Sequence, residues 1–347
     1  MIDLMDATIE EAIIHRVGNK SRNEDLHLSE KSLKPDAELE SALLKYFFHP
    51  FYKDNTVHEF FHEEDISLNE MLKHIDNMQS GDLSFLSGSK KISKLLYRIT
   101  THPNILTGEL FISVINGVKF KSRKRKILGI FKSERKSNFI ELDSDPKNIK
   151  ANVVTGLDLE NLDKGALIFL DSKKPTLLVY NSRGIDSHYW NNSFLGCRPI
   201  NDDDLKTKHC LDACLNFTKK IADQFESKND VIKFNNKFTE YFQEAGNFDP
   251  SEFAQRTGLN NEQEQALYSH LDNYQNNHAI NFKNGFKISE DRLKKLDKRL
   301  QSTIKLDTHI ELKIDIKSQL PEKNIEKGFD KKRNMHFYKI YFNEELN

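Results

Sequence analysis

Apolar and polar positions change their period several times along this chain, and each change marks an element. Residues 8–17 (TIEEAIIHRV) mix acidic and β-branched residues and are followed by Gly18 and Asn19, which predicts a first strand closed by a turn. Between Asp36 and Phe48 the apolar positions Leu39, Leu43, Leu44 and Phe47 recur at helical spacing, with Pro35 just before and Pro50 just after. Two further helices are predicted, over 65–77 (started by Asp65 or Ser67) and over 89–100. The second carries Ile92, Leu95, Leu96 and Ile99 on one face, with Pro103 beyond its end.

From residue 109 the pattern is dense in β-formers. ELFISVINGV (109–118), KILGIF (126–131) and FIEL (139–142) predict three successive strands of a meander. ALIFL (166–170) and TLLVY (176–180) predict two more, joined by a turn at Lys173, Lys174 and Pro175, and Gly156, Gly165 and Gly184 read as turn residues. At about Asn201 helical periodicity returns. Asp202, Asp203 and Asp204 place negative charge where a helix N-terminus favours it. Helical patterning runs through LDACLNFTKKIADQF and VIKFNNKFTEYFQEAG, a helix after Asp249-Pro250 and another over 261–275, and the chain closes on strand-like HIELKIDIK (309–317) and HFYKIYF (336–342). The expected fold class is α+β. Residues 1–200 form a mixed N-terminal domain with an antiparallel β-meander and helices, and residues 201–347 form a helical C-terminal domain with terminal strands. No internal repeat or low-complexity linker is seen.

Composition adjusts this picture. A chain of 347 residues has room for two domains, and 24 Phe and 10 Tyr supply an aromatic interior although 30% of the residues are charged. Fifty-two basic against 53 acidic residues give a net charge of -1, which excludes coating a polyanion by bulk charge. Any nucleic-acid contact must therefore come from a local patch. Three cysteines (Cys197, Cys210, Cys214) make no disulfide framework and point to a reducing compartment. The acidic start MIDLMDATIEE is unlike a secretory signal, and no long apolar run suggests a membrane span, so the cytoplasm is the expected location.

The candidate chemistry centres on one basic run, Lys119-Phe120-Lys121-Ser122-Arg123-Lys124-Arg125-Lys126. Lying between two predicted strands, it would occupy a hairpin tip, from which Lys119, Lys121, Arg123, Lys124, Arg125 and Lys126 could each neutralise a phosphate. Lys132, Arg135 and Lys136 follow at the far end of the same strand pair and complete the expected contact set. The bland alternative is a solvated loop. A metal-dependent nuclease could use Glu109 with the acid-x-Lys triplet Glu134-Arg135-Lys136, but such a triplet is frequent in a chain this charged. His58-Glu59-Phe60-Phe61-His62 has the spacing of a zinc-protease motif, yet its flanks are not helical, and a chance match is the preferred reading. Cys210 and Cys214, one helical turn apart, have no C-x-x-C partner and read as small core residues. No Walker loop, G-x-G-x-x-G or G-x-S-x-G occurs, so no metal, cofactor or catalytic residue is expected.

Several stretches, in order along almost the whole chain, resemble the NdpA/YejK family of bacterial nucleoid-associated proteins. They are AIIHRVGNK (12–20), HLSEKSL (27–33), YFFHPF (46–51), HPNILTGELFISVI (102–115), LGIFKSERKSNFIEL (128–142), LDKGALIF (162–169), Tyr189-Trp190 with Phe194-Leu195, and EKGFDKKRNMHFYKIYFNEE (326–345). The resemblance implies a protein of the nucleoid with a role in chromosome organisation, associated with DNA and without established catalytic residues. Its place at the DNA would be direct or through a partner such as a topoisomerase. A homodimer suits an architectural protein of this kind. The expected function is non-enzymatic, largely sequence-independent DNA binding. The alternatives are a protein-interaction adaptor docking through residues 201–275, or a metal-dependent hydrolase using the residues weighed above.

Overall fold

The computed structural model describes residues 2–52, 56–145, 148–170, 174–182, 188–221, 224–225, 228–278, 280–282, 285–293, 302–314 and 325–344. The chain divides into two compact units, Met1–Ile200 and Asn201–Asn347. The fold is α+β, as the change of period along the sequence implies.

In the first unit the elements are β1 (Ile2–Asp3), β2 (Thr8–Val17), β3 (Leu26–His27), α1 (Ala37–Phe48), β4 (Val57–Phe60), α2 (Glu70–Ser80), α3 (Phe85–Ile99), β5 (Gly108–Phe120), β6 (Arg123–Ser133), β7 (Ser137–Asp145), β8 (Asn148–Gly156), β9 (Lys164–Phe169), β10 (Thr176–Asn181) and β11 (Cys197–Pro199). The main sheet is antiparallel and runs β11-β4-β10-β9-β6-β5-β2-β3, with β1 added alongside β5. Both faces are covered. Leu110, Ile112, Leu128, Ile130, Ala166 and Ile168 pack with Ile75, Ile92 and Leu96 of α2 and α3 and with Trp190 and Phe194 of a π-type turn. Phe111, Ile127, Phe131, Leu167 and Phe169 pack on the other side with Leu43, Phe47 and Phe48 of α1 and with Phe51. ALIFL therefore lacks alternation because it is buried on both faces. Phe47 stacks on Phe131 at 4.0 Å between ring centroids.

Helix ends follow local chemistry. Asp36 caps α1 by accepting from the Leu39 amide, and Pro50 falls in the 3-10 turn that follows. The helix expected from Asp65 begins later: Asp65 caps a 3-10 turn (Ile66–Leu68), and Asn69 caps α2. The third helix begins at Phe85, not Ser89, because Ser84 supplies its cap. Gly165, expected in a turn, lies within β9, where an added Cβ would meet Phe51 Cζ at 3.0 Å. Lys173 and Gly184 lie outside the described residues.

One strand is placed differently from the expected meander. FIEL lies in β7, which among the described residues does not join the sheet but pairs with β8, a strand absent from the sequence reading, to make a separate two-stranded ribbon.

The second unit contains α4 (Asp203–Ile221), α5 (Lys228–Glu244), α6 (Pro250–Thr257), α7 (Asn261–His278) and α8 (Glu290–Leu293). Two hairpins follow, β12 (Ser302–Lys305) with β13 (Glu311–Ile314) and β14 (Ile325–Asp330) with β15 (Met335–Ile340). Residues 315–317 of the expected strand 309–317 lie outside the described residues. The helical core is aromatic, built on Phe234, Phe238, Tyr241, Phe242, Phe248 and Phe253. Pro250 opens α6 behind the Asp249 cap, whose amide donates to Tyr241 Oη at 2.8 Å.

Candidate nucleic-acid interface

The basic run forms the β5–β6 hairpin tip. Lys121 and Ser122 are its two loop residues, both with left-handed backbone (φ 48° and 64°), the geometry of a tight turn matched to strand twist. The alternation of a strand then divides the cations between two faces. Lys119 and Lys124 lie directly opposite one another across the strands. Like charges so placed repel, and carboxylates from the chain's start relieve them: Lys119 Nζ lies 3.5 Å from both Asp3 and Asp6, and Lys124 Nζ lies 2.9 Å from Asp6. Lys126 on the same face pairs with Glu10 at 2.6 Å, and Asn116 Nδ2 donates to the same carboxyl. Lys124 holds the Asp6 carboxyl below the usual carboxylate range, and Lys126 does the same for Glu10.

On the other face Arg125 lies over the Phe169 ring, 5.5 Å from its centroid, beside a core that includes Val118 and Phe120. Lys121 and Arg123 stand exposed at the turn, and among the described residues neither makes an ion pair.

The second expected cluster is at the opposite end of β6, eight residues from Lys124, or about 25 Å at strand rise. Lys132 has no exposed surface, so burial removes it from the expected phosphate contacts. It lies opposite Lys164 on β9, another cross-strand lysine pair, also buried. Glu134 bridges the two ammonium groups, at 2.9 Å from Lys132 Nζ and 3.4 Å from Lys164 Nζ. Lys132 also donates to the Leu106 carbonyl at 2.7 Å, while burial pushes its ammonium pKa down. Asp163, fully buried, accepts from the Glu134 and Arg135 amides (2.7 and 3.1 Å) and from Arg135 Nε (2.7 Å). Lys136 pairs with Glu109 at 2.8 Å. Arg135 and Lys136, though partly exposed, are thus held by acids in an ionic clamp at the root of the β7–β8 ribbon.

The hydrolase geometries are not assembled. His58 lies in β4, where it and Glu59 belong to opposite faces; its Nδ1 is 3.0 Å from the Thr56 carbonyl, and Glu59 pairs with Arg198. His62 lies beyond the strand, beside Glu63, Glu64 and His188 in a cleft of about 410 Å³. Glu134 is engaged by two lysines and Glu109 by Lys136. Among the described residues no group of three His, Cys, Asp or Glu side chains could hold a metal. Cys197, Cys210 and Cys214 are free and buried, and burial pushes the Cys197 thiol up to about 12.

Sequence reasoning missed the partners. Asp3, Asp6 and Glu10 lie more than a hundred residues before the lysines they meet, and only the pairing of β1 and β2 with β5 brings them there.

The sequence pattern of the family described as nucleoid-associated protein YejK matches residues 13–330. The chain belongs to this family. A comparison with curated proteins finds no match. Membership of the YejK family makes this a nucleoid-associated protein, and the match takes in β5, β6 and both clusters of charge described above. Among the described residues no helix is long and apolar enough to cross a membrane.

Proposed function

We propose that this chain is a non-enzymatic, cytoplasmic member of the YejK family that touches DNA phosphates directly, without reading sequence, through the outer end of the β5–β6 hairpin. One observation carries the reading: Lys121 in the tight turn and Arg123 at the first position of β6 are exposed, outward of the positions at which Lys119, Lys124 and Lys126 are matched by acids. Those pairs are exposed, and such pairs are worth no more than about 1 kcal/mol, so an approaching phosphate competes with them at small cost. The grip is accordingly small, on the order of two phosphates for each tip. A non-enzymatic role is supported by the engagement of Glu109 and Glu134 with lysines and by the strand position of His58.

A second reading has its own support. The carboxylates matched to Lys119, Lys124 and Lys126 leave little net positive charge, which suits an adaptor recruited to the nucleoid through a DNA topoisomerase or similar partner. Binding of the purified chain to a mixed-sequence duplex at low salt separates the two. Replacing Lys121→Glu together with Arg123→Glu is expected to weaken binding by about tenfold or more, as two lost phosphate contacts demand. Affinity equal to that of the unaltered chain would remove the tip. Absence of DNA binding by the unaltered chain, with capture of a purified topoisomerase, would establish the adaptor role in its place.

A further inference from the structure

The hairpin β14–β15 is basic at its turn and aromatic along its strands, and the β5–β6 contact makes no use of it. Its turn is Asp330-Lys331-Lys332-Arg333-Asn334. One Asp330 carboxyl oxygen accepts from the Lys332 and Arg333 amides at 2.8 and 3.2 Å, and Asn334 takes the left-handed backbone (φ 52°) that returns the chain. Arg333 lies 3.9 Å from Asp330, whereas among the described residues Lys331 and Lys332 make no ion pair, and all three cations are exposed. Register sorts the strands by face. Phe329 lies opposite His336, and Tyr338 and Ile340 share their side. The Phe329 and His336 rings meet edge to face with centroids 5.0 Å apart. Phe329 and Ile340 are nevertheless 48% and 47% exposed, and His336 is exposed with them. None of the described side chains on this face is acidic. The opposite face holds Glu326 and Asp330, beside Phe337, whose ring fills the place that a side chain at Gly328 would take.

We propose that this face binds an unpaired DNA strand, whose bases stack on the rings of Phe329, His336 and Tyr338 while Lys331, Lys332 and Arg333 meet its phosphates. Rings beside cations are what such a strand needs. Every base has a flat face to stack, so the contact tolerates any sequence, and the cations hold the backbone. A duplex keeps its base faces inside its own stack, so the rings select the unpaired strand. At the β5–β6 tip Phe120 is buried in the core and only charge is offered, so the two hairpins take different ligands. Charge also chooses the face, because Glu326 and Asp330 on the other side repel phosphate. An anionic lipid surface would attract the same cations, but it asks for a continuous apolar face. Here Phe329 and Ile340 are interleaved with His336 and Tyr338, and membership of a nucleoid-associated family sets DNA beside the chain. The inference is independent of the β5–β6 contact, and either can fail alone.

Fluorescence anisotropy of a labelled oligodeoxythymidine of about 20 nucleotides, titrated with the full-length chain, tests it. Phe329→Leu with Tyr338→Leu keeps apolar bulk and removes two rings. This variant is expected to bind the oligonucleotide at least about tenfold more weakly, since each base stacked on a ring accounts for about fivefold or more, and to bind duplex DNA as before. Lys331→Glu with Lys332→Glu is expected to make the log–log salt dependence shallower by about 1.4, the share of two single-strand phosphates. A chain that does not bind the oligonucleotide at about 100 μM, or that binds it equally with and without the two rings, overturns the proposal. Ring-dependent binding to phosphatidylserine vesicles in its place overturns it too and assigns the face to a membrane. Should the variants fold poorly, ultraviolet crosslinking of the unaltered chain to an oligonucleotide carrying iododeoxyuridine reads the same face. Crosslinks must fall at Phe329, His336 or Tyr338, and crosslinks elsewhere alone overturn the proposal equally.

Discussion

His15 shows how one side chain ties this fold to pH. It is buried in β2, where its Nδ1 accepts from the Ser29 amide and its Nε2 faces Ser89 Oγ, both at 3.0 Å. Ser89 in turn donates to the Leu86 carbonyl, so the neutral ring with its proton on Nε2 satisfies every partner. Burial, aided by Lys90, pushes the imidazole down to about 4. In the unfolded chain it titrates near about 6.5. Between these values the unfolded state binds the extra proton, so the contribution is complete above about pH 6.5 and is lost as pH falls toward 4. Urea unfolding of the His15→Gln variant should show a fall in stability from about pH 7 to 5 that is about 2 kcal/mol smaller than in the unaltered chain. Equal falls would mean that His15 is not held neutral. The lysine run teaches a complementary lesson at the same scale. The sequence displays six cations in eight positions, but strand alternation splits them, and acids distant in sequence neutralise those on one face.

At the scale of elements, the same device recurs at both ends of the β5–β6 region. A cross-strand lysine pair is bridged by one carboxylate, exposed at Asp6 and buried at Glu134. Their consequences differ because solvent screens the first pair and not the second. Glu134→Gln leaves two ammonium groups facing each other without the carboxylate that bridges them, with Asp163 the nearby acid that remains, and is expected to cost about 3–5 kcal/mol in the unfolding transition of the first unit. Replacing Lys132→Met and Lys164→Met alongside it should recover most of that loss. A single variant within about 1 kcal/mol of the unaltered chain would show that the clamp is not the base it is taken to be. Strands β2, β5, β6, β9 and β10 were legible because β-formers run unbroken between turns. The fate of β7 was not. FIEL has the composition of a sheet strand, and only its pairing with β8 shows that it stands apart. Short strands such as β4 and β11 were missed because three or four residues establish no period, and helix starts shifted where Ser84 and Asn69 took the cap.

For the whole molecule, a net charge of -1 and a small basic tip agree with each other. The chain carries no net positive charge to attract a polyanion, so its contact with DNA is local and weak. The α+β class and the family were both legible, the class from changes of period and the family from ordered stretches spanning the chain. The extent of the DNA surface was not, because it depends on which charges the fold neutralises. The most direct test of the account is the affinity of the unaltered chain for a mixed-sequence duplex across about 50–200 mM salt. The account predicts a log–log slope of about -2, from two phosphates met at one tip. No binding at the low end, or a slope of about -8 or steeper, would contradict it.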